Sequence, residues 1–388
     1  MVRTIWLPSW FPSVESPQNG DFIFRHAMAA SSFSDIYIGY LQATSRVSSV
    51  SISKTRINDN LEVLISLNPI KSKSKILNLF RKIHYFLVYK SILDDYIVIN
   101  GKPDLIHVHV SFRAGLIALW FKKVYKIPFV ITEHWTLFTP EREDNFWKKG
   151  LLFKTLMKRI FKEAEYVLPV SDNLGNNLKA LFPSIKARTI PNVVDPNIFY
   201  YKPKLKHKEF NFIHVSSLKK IKNPKSIIST FVRLFNNYPD TRLTIVGEVS
   251  SDLMEFAAEF NLSNSVLSFT GSLAHDQVAQ KLQMSDVFLL FSFAENLPCV
   301  IAESLCCGIP IISTNIGGIP EMVTDENGIL IEPGDEEALF GAMERMYKEH
   351  SRYDGATIAS NAQALYNPSV VGSQIVEIYD KVLASLKN

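Results

Sequence analysis

The stretch FSFAENLPCVIAESLCCGIPIISTNIGGIPE, residues 291–321, decides the fold of this chain. It grows out of an apolar run, DVFLLFS (286–292), that reads as a buried strand, and leads into a second, PIIST (310–314). Between them lies a short helical run that starts near Pro298 and stops at Gly308. Proline at a helix start and glycine just past its end are the usual boundary residues. The helix CVIAESLCC is apolar on almost every face, so it should be buried beside a parallel sheet. Two glutamates, Glu295 and Glu303, stand with seven residues between them. A carboxylate in such a helix is costly unless it finds hydrogen-bond partners. A vicinal diol on a ribose or hexose supplies paired O–H donors. The free N–H groups of the helix start, at Cys299 and Val300, suit a diphosphate. The set as a whole suits a nucleotide sugar. The plainer alternative is two unrelated glutamates, one capping a loop and one paired with an arginine or lysine.

The same strand–helix alternation runs outward in both directions. Before the linker-like, proline-punctuated ARTIPNVVDPNIF (187–199), strands are expected at 4–8, 36–42, 61–67, 105–110, 129–133 and 166–171. After it they are expected at 210–217, 242–248, 266–271, 286–292, 310–314 and 328–333. The Ser/Thr-rich ATSRVSSVSISK (43–54) reads as an exposed loop. The pattern is an α/β chain of two doubly wound domains, with ligands at strand C-termini and between the domains.

A chain of 388 residues suits two such domains, and 47% hydrophobic with 21% charged residues describes a soluble globular enzyme. No apolar run is long enough for a transmembrane helix. MVRTIWLPSWFP is too proline-rich for a signal peptide and reads as a first core strand. Cys299, Cys306 and Cys307 fit no zinc spacing and read as packing residues of a cytosolic protein. The net charge of +4 conceals an asymmetry: residues 1–200 hold 26 Lys+Arg against 16 Asp+Glu. The excess is densest at 71–90 and 148–162, each a basic helix with an apolar stripe. These are either solvated faces packed on the core or surfaces attracted to an anionic membrane or lipid-diphosphate acceptor. No nucleic-acid-binding module is recognisable, so nucleic acid is not an expected partner.

Residues 291–321, with the continuation CCGIPIISTNIGGIPEMV, resemble the donor-binding motif of retaining glycosyltransferases of family 4. The resemblance is strongest over 187–333 and implies the GT-B architecture, two Rossmann-like domains facing a cleft. It implies an acceptor-side domain at 1–195, a nucleotide-sugar domain at 196–366, and a terminal helix (367–388) crossing back to the first domain. In that family Glu295 would contact the transferred sugar and Glu303 the ribose, with Asn296, Leu297, Cys299 and Val300 completing the donor site. The strand–helix turn SSLKKIKN carries Lys222 where the family has a diphosphate-binding lysine. At the family's arginine position stands Ser217, a departure that leaves Lys219, Lys220, the helix dipole or the Ser217 hydroxyl to compensate. Gly20, ending the long loop 9–21, matches a glycine that faces the donor phosphates. His134, just past the strand FVITE, matches a histidine near the reacting carbon.

Other residues give less. His107 and His109 alternate on one strand without an apparent third metal ligand and read as core or cleft-lining. Ser171 and Asp172 read as helix caps, Asn192 as a linker residue, and Gly317–Gly318 as a turn that either admits a sugar or is merely tight. No Asp-x-Asp pair ends a strand, so no metal and no further cofactor is expected. The resemblance implies a hexosyl- or N-acetylhexosaminyl-type transferase. Its donor would be a nucleoside-diphosphate sugar, UDP favoured over GDP, although Thr270 and Leu273 do not distinguish the bases. Its acceptor would be a surface-glycan hydroxyl, lipid-linked or free, and its place cytoplasmic, peripheral on the inner membrane face if membrane-bound. An epimerase, a phosphorylase or a non-catalytic sugar-nucleotide sensor on the same fold are the competing readings.

Overall fold

The computed structural model describes residues 1–13, 16, 18–44, 47–69, 75–203 and 208–386, with the side chains of 75–84 left aside. The first half runs β1 (Val2–Pro8), α1 (Asp21–Ala30), β2 (Ser34–Thr44), β3 (Ser51–Asn58), β4 (Leu61–Pro69) and α2 (Lys75–Asn100). It continues with β5 (Leu105–His109), α3 (Ala114–Tyr125), β6 (Phe129–Glu133), α4 (Leu151–Glu163), β7 (Tyr166–Pro169) and α5 (Asp172–Leu181). Its sheet has the order β3-β4-β2-β1-β5-β6-β7, parallel except for β3 against β4. The chain leaves β1 in one direction and returns to its other side at β5, so a switch point lies between these two strands.

The second half comprises β8 (Phe210–Val215), α6 (Pro224–Asn237), β9 (Thr241–Val246), α7 (Ser251–Ala258), β10 (Leu267–Phe269) and α8 (His275–Gln283). There follow β11 (Val287–Leu290), α9 (Cys299–Cys306), β12 (Ile311–Thr314), β13 (Gly328–Ile331), α10 (Glu336–Glu349), α11 (Gly355–Tyr366) and α12 (Pro368–Ser385). Its all-parallel sheet, β10-β9-β8-β11-β12-β13, has its switch point between β8 and β11. Strands such as β6, β11 and β12 are buried at every position, as sheets covered on both faces require.

The last helix, α12, does not stay with the second sheet. It packs on α1 so closely that a Cβ on Gly372 would stand 2.3 Å from the Ala29 carbonyl oxygen. Tyr379 of α12 reaches further and meets His107 of β5, Oη to Nδ1, at 2.6 Å.

One expectation needs correction. The stretch 43–54 is not a loop throughout: β2 extends to Thr44, residues 47–50 connect outside any strand, and β3 begins at Ser51. This edge strand is exposed from Ser51 to Ile57, so burial leaves no alternating pattern in its sequence. Its ladder to β4 holds it, with Lys54 paired to Glu62 across the strands at 2.8 Å. The basic run 71–90 lies in part outside the described residues. The other basic run forms α4, which buries Met157, Ile160 and Phe161 and turns Lys158, Arg159 and Lys162 outward.

Candidate functional site

The strand C-termini at the two switch points bring their loops together. Glu295 lies on the loop after β11, and Pro298 sits at the N-cap of α9 rather than at its first helical position. The eight residues 291–298 therefore hand the chain from sheet to helix, with 295–298 forming one cleft wall. Gly317 and Gly318, past β12, explain how that loop is held. A Cβ at Gly317 would fall 2.2 Å from the Glu295 carbonyl oxygen, and one at Gly318 would fall 2.6 Å from that of Asn296. Gly318 N–H donates to the Asn296 carbonyl at 2.8 Å. The turn is tight because backbone packs on backbone there.

Glu295 and Glu303 are only 7% and 5% exposed, and each holds a cation. Glu295 accepts from Lys222 Nζ, which the short helical turn 220–222 carries. Glu303 Oε1 accepts from Arg25 Nη1 at 2.6 Å, across 278 positions of sequence. Arg25 lies on α1, beside Asp21 at 2.6 Å and within 3.1 Å of His275 Nε2. Burial opposes its charge, but the carboxylates of Glu303 and Asp21 outweigh that and hold the guanidinium firmly protonated. Burial pushes the Cys299 thiol up to about 12, so it is no nucleophile near neutral pH.

A cavity of about 420 Å³ joins the two halves. Trp10, Phe22, His134, Trp135, Thr136 and Arg142 line one side, and Glu295 to Cys299 the other. The loops are tied across it. Ser171 Oγ donates to Asn296 Oδ1 at 2.9 Å, Asn296 Nδ2 to the His134 carbonyl at 3.2 Å, and Asn192 Nδ2 to the Leu297 carbonyl at 2.9 Å. Glu321 accepts from the Asp172 and Asn173 N–H groups, both at 2.7 Å. Ser171 also caps α5 by accepting from Leu174 N–H at 3.1 Å. It is thus a cap and a cross-cleft contact together.

Ser217, Lys219 and Lys220 line a different cavity, about 640 Å³, with Glu248, Ser250 and Asp252. Lys222 stands in sequence between Lys220 and Asn223, which line this second cavity, and reaches the first through Glu295. The turn carrying these residues has Leu218 and Asn223 at positive φ, 51° and 50°. Gly20 has φ 72°, and a Cβ there would meet the Trp10 backbone at 2.6 Å. Its glycine is demanded by α1 docking on the 9–11 segment. Sequence reasoning missed Arg25 altogether. Its signal is an arginine four residues after Asp21 on an otherwise apolar helix, and nothing local names its distant partner.

His107 is the core residue expected, with both ring nitrogens bonded, to Tyr379 and to Thr132 Oγ1 at 2.7 Å. A third candidate ligand does exist beside His109 and His134: His26 of α1, the ring atoms of the three lying within 4.8 Å of one another. Burial holds all three neutral, His26 at about 4 and the other two well below their usual value. Burial also raises Glu133, against N–H donors from Ser111, His134 and Trp135 that favour its carboxylate.

Comparison with known proteins gives the family and the fold. Residues 63–198 match the family model described as Glycosyltransferase Family 4, and residues 199–362 the one described as Glycosyl transferases group 1. N-acetyl-alpha-D-glucosaminyl L-malate synthase of Bacillus anthracis is 26% identical over 74% of this chain and 76% of its own length. A phosphatidylinositol N-acetylglucosaminyltransferase subunit of Homo sapiens is 28% identical over 74% of this chain. The chain spans only 59% of that relative's length. Sucrose-phosphate synthase of Thermosynechococcus elongatus shares the fold with a TM-score of 0.79, at 17% identity over 99% of this chain and 100% of its own. HepE of Anabaena, solved with UDP and glucose, follows at 0.72, with 17% identity over 98% and 100%. Two consecutive matches reaching into both sheets, on a GT-B fold, place the chain in the group 1, family 4 glycosyltransferases.

Proposed function

We propose that this enzyme transfers a hexosyl or N-acetylhexosaminyl group from a UDP-sugar to a hydroxyl of a glycan or lipid-linked acceptor, with retention of configuration. The observation that carries this reading is the pair of buried glutamates on either side of the α9 start, each held by a cation. UDP is favoured over GDP because HepE, of the same fold, was solved with UDP and with UDP-glucose. Residues 196–366 would hold the donor and residues 1–195 the acceptor.

In this reading Glu303 takes the ribose diol. Arg25 uses Oε1 and leaves the second oxygen for the ligand. The N–H groups of Cys299 and Val300 meet the diphosphate, and Lys222 moves from Glu295 to a phosphate oxygen when the donor enters. Glu295, released, then accepts from hydroxyls of the transferred sugar. Charge grows on the leaving diphosphate in the transition state, so a lysine and a helix start already in place lower the barrier. Asn296 and Leu297 hold this wall through the contacts to Ser171, His134 and Asn192. His134 borders the reacting carbon from the opposite wall. For retention, the departing phosphate oxygen takes the acceptor proton on the face from which it leaves. Ser217, in the neighbouring cavity with Lys219 and Lys220, serves the diphosphate from its far side.

The test offers UDP- and GDP-sugars with glycan, lipid-phosphate and small hydroxy-acid acceptors, and follows transfer and donor hydrolysis together. Transfer with a retained anomeric proton coupling supports the reading. Donor turnover to an isomeric sugar without acceptor supports an epimerase, and binding without either reaction supports a sensor.

A further inference from the structure

We propose that His26, His109 and His134 form a binding site for one divalent transition-metal ion, Zn²⁺ or a close relative, in the first domain behind the cleft wall.

Each ligand comes from a separate element, and each is oriented. His26 of α1 is fully buried, and its Nε2 lies 2.8 Å from the Pro191 carbonyl. That contact places the proton on Nε2 and leaves Nδ1 as a bare lone pair. A backbone carbonyl in this role is the usual outer partner of a metal-bound imidazole. His109 ends β5, clamped between the rings of Trp6 and His107 at 4.2 and 4.1 Å. Val110 follows at φ 65°, a strained value for a β-branched residue, and turns the chain away directly after this histidine. His134 follows β6 and is 9% exposed at the cavity.

Four nitrogens in this cluster are buried without a hydrogen-bond partner among the described residues: His26 Nδ1, both of His109, and His134 Nε2. Orphaned buried polar atoms are rare in folded proteins, and a cluster of them on three rings calls for a shared guest. The rings stand 5.4 Å apart for His26–His134, 6.0 Å for His109–His134 and 6.3 Å for His26–His109. Imidazoles around a tetrahedral zinc with Zn–N of about 2.0–2.1 Å have centroids roughly 5.2–5.5 Å apart. One pair already has that spacing. Nitrogens on one tetrahedral zinc stand roughly 3.3–3.4 Å apart. Those of the three rings lie within 4.8 Å of one another, so the set closes on the ion by up to about 1.5 Å.

The donor set chooses the ion. Three neutral imidazoles without carboxylate or thiolate suit Zn²⁺, Co²⁺, Ni²⁺ or Cu²⁺ and give no hold on Mg²⁺ or Ca²⁺. Glu133, the nearest carboxylate in sequence, is already engaged by Ser111, His134 and Trp135 through their N–H groups. His107 is excluded because both of its nitrogens are bonded. The fourth position belongs to water entering from the cavity that His134 lines. The ion would sit apart from Lys222 and the α9 start, so it takes no part in holding the diphosphate. It would lock His134 against α1 and leave Nδ1 of that ring for the cleft.

The test uses the full chain, stripped with chelator and dialysed, then titrated with Co²⁺ and Zn²⁺. The expected result is one equivalent of Co²⁺ with the visible d–d absorption of a four-coordinate nitrogen site, displaced by Zn²⁺ and untouched by Mg²⁺. His26→Leu and His109→Leu should each lower Zn²⁺ affinity by about a hundredfold or more, since loss of a mere outer partner already costs up to that. His107→Gln should retain the site. Folded wild-type protein that takes up no stoichiometric Co²⁺ overturns the proposal, whatever the variants do. Equal uptake by wild type and both leucine variants overturns it too, because the ion then sits elsewhere.

Discussion

At the residue scale, the decisive feature is that each glutamate of the α9 region already has a cation. For Glu303 the partner is Arg25, from the other domain, and this makes the carboxylate proposed for the ribose a shared object. Glu303→Gln removes the charge and one acceptor oxygen, so nucleoside-diphosphate binding should weaken by about 1.5–3 kcal/mol, the range for a charge-assisted hydrogen bond. Arg25→Met should also weaken it, by about tenfold, because the carboxylate loses the donor that orients it. The double variant should cost less than the sum, since both changes remove the same pair. Calorimetric titration with UDP and GDP measures all three; full additivity would show that Arg25 and Glu303 serve the ligand separately. Glu295→Ala should behave differently, sparing binding of the free nucleotide while transfer collapses. The two glutamates were legible in the sequence because one carboxylate precedes a short buried helix and the other lies within it. Their cations were half legible: Lys222 lies in a strand–helix turn, where charge meets phosphate, but Arg25 finds its partner only after two domains have folded together.

At the element scale, β8 and the loops after β11 and β12 fix the site, and two of their features are testable. Gly318 lets the turn after β12 approach both Asn296 and Ser171, whose Cβ would be 2.7 Å from a Cβ at this position. Gly318→Ala should push the two walls apart. Transfer should fall by an order of magnitude or more, as misplacement near the reacting groups does, while nucleotide affinity changes little. Equal losses of both would place the turn in the nucleotide site itself. In β8, His214 is buried with Nδ1 2.8 Å from the Leu289 carbonyl and Nε2 2.8 Å from Ser216 Oγ. Burial lowers it to about 4. The unfolded chain, with an ordinary histidine near 6.5, binds a proton over the window from about 6.5 down to 4 that the folded chain refuses. Its contribution is therefore complete above about 6.5 and is lost as pH falls, by about 1.4 kcal/mol per unit. Urea unfolding at about pH 7 and pH 5 should show roughly 2 kcal/mol less acid loss in His214→Gln than in wild type. Elements such as β6 and β11 were legible because fully buried strands are continuous apolar runs. Strand β3 was not, since both of its faces meet water and only its backbone pairing defines it.

At the scale of the whole molecule, two sheets with similar winding face one cleft, and α12 returns to pack on α1. The sequence carries the repeated winding in its strand spacing, whereas the cross-cleft ties, such as Ser171 to Asn296, join positions 125 residues apart and have no local signature. Charge is divided as well: the first 200 residues carry a surplus of ten positive charges, from 26 Lys+Arg and 16 Asp+Glu. In α4 the apolar stripe faces the core, so its outward Lys158, Arg159 and Lys162 are free to meet an external anion. At and just before the start of α4, Trp147, Leu151 and Leu152 are exposed, apolar side chains of the kind that enter the headgroup region. Among the described residues no helix is long and apolar enough to cross a membrane, so any attachment through this helix is to a surface. The expected outcome is binding to vesicles containing phosphatidylserine that weakens as salt shortens the screening length from about 10 Å toward 3 Å. Reversing Lys158, Arg159 and Lys162 to glutamate should lower vesicle affinity by about a hundredfold or more, at roughly one kcal/mol for each basic residue near an anionic surface. UDP binding should not change, because none of the three lines either cavity. Co-sedimentation decides it: vesicle affinity that ignores both salt and the reversals would mean that α4 is a solvated face and nothing more.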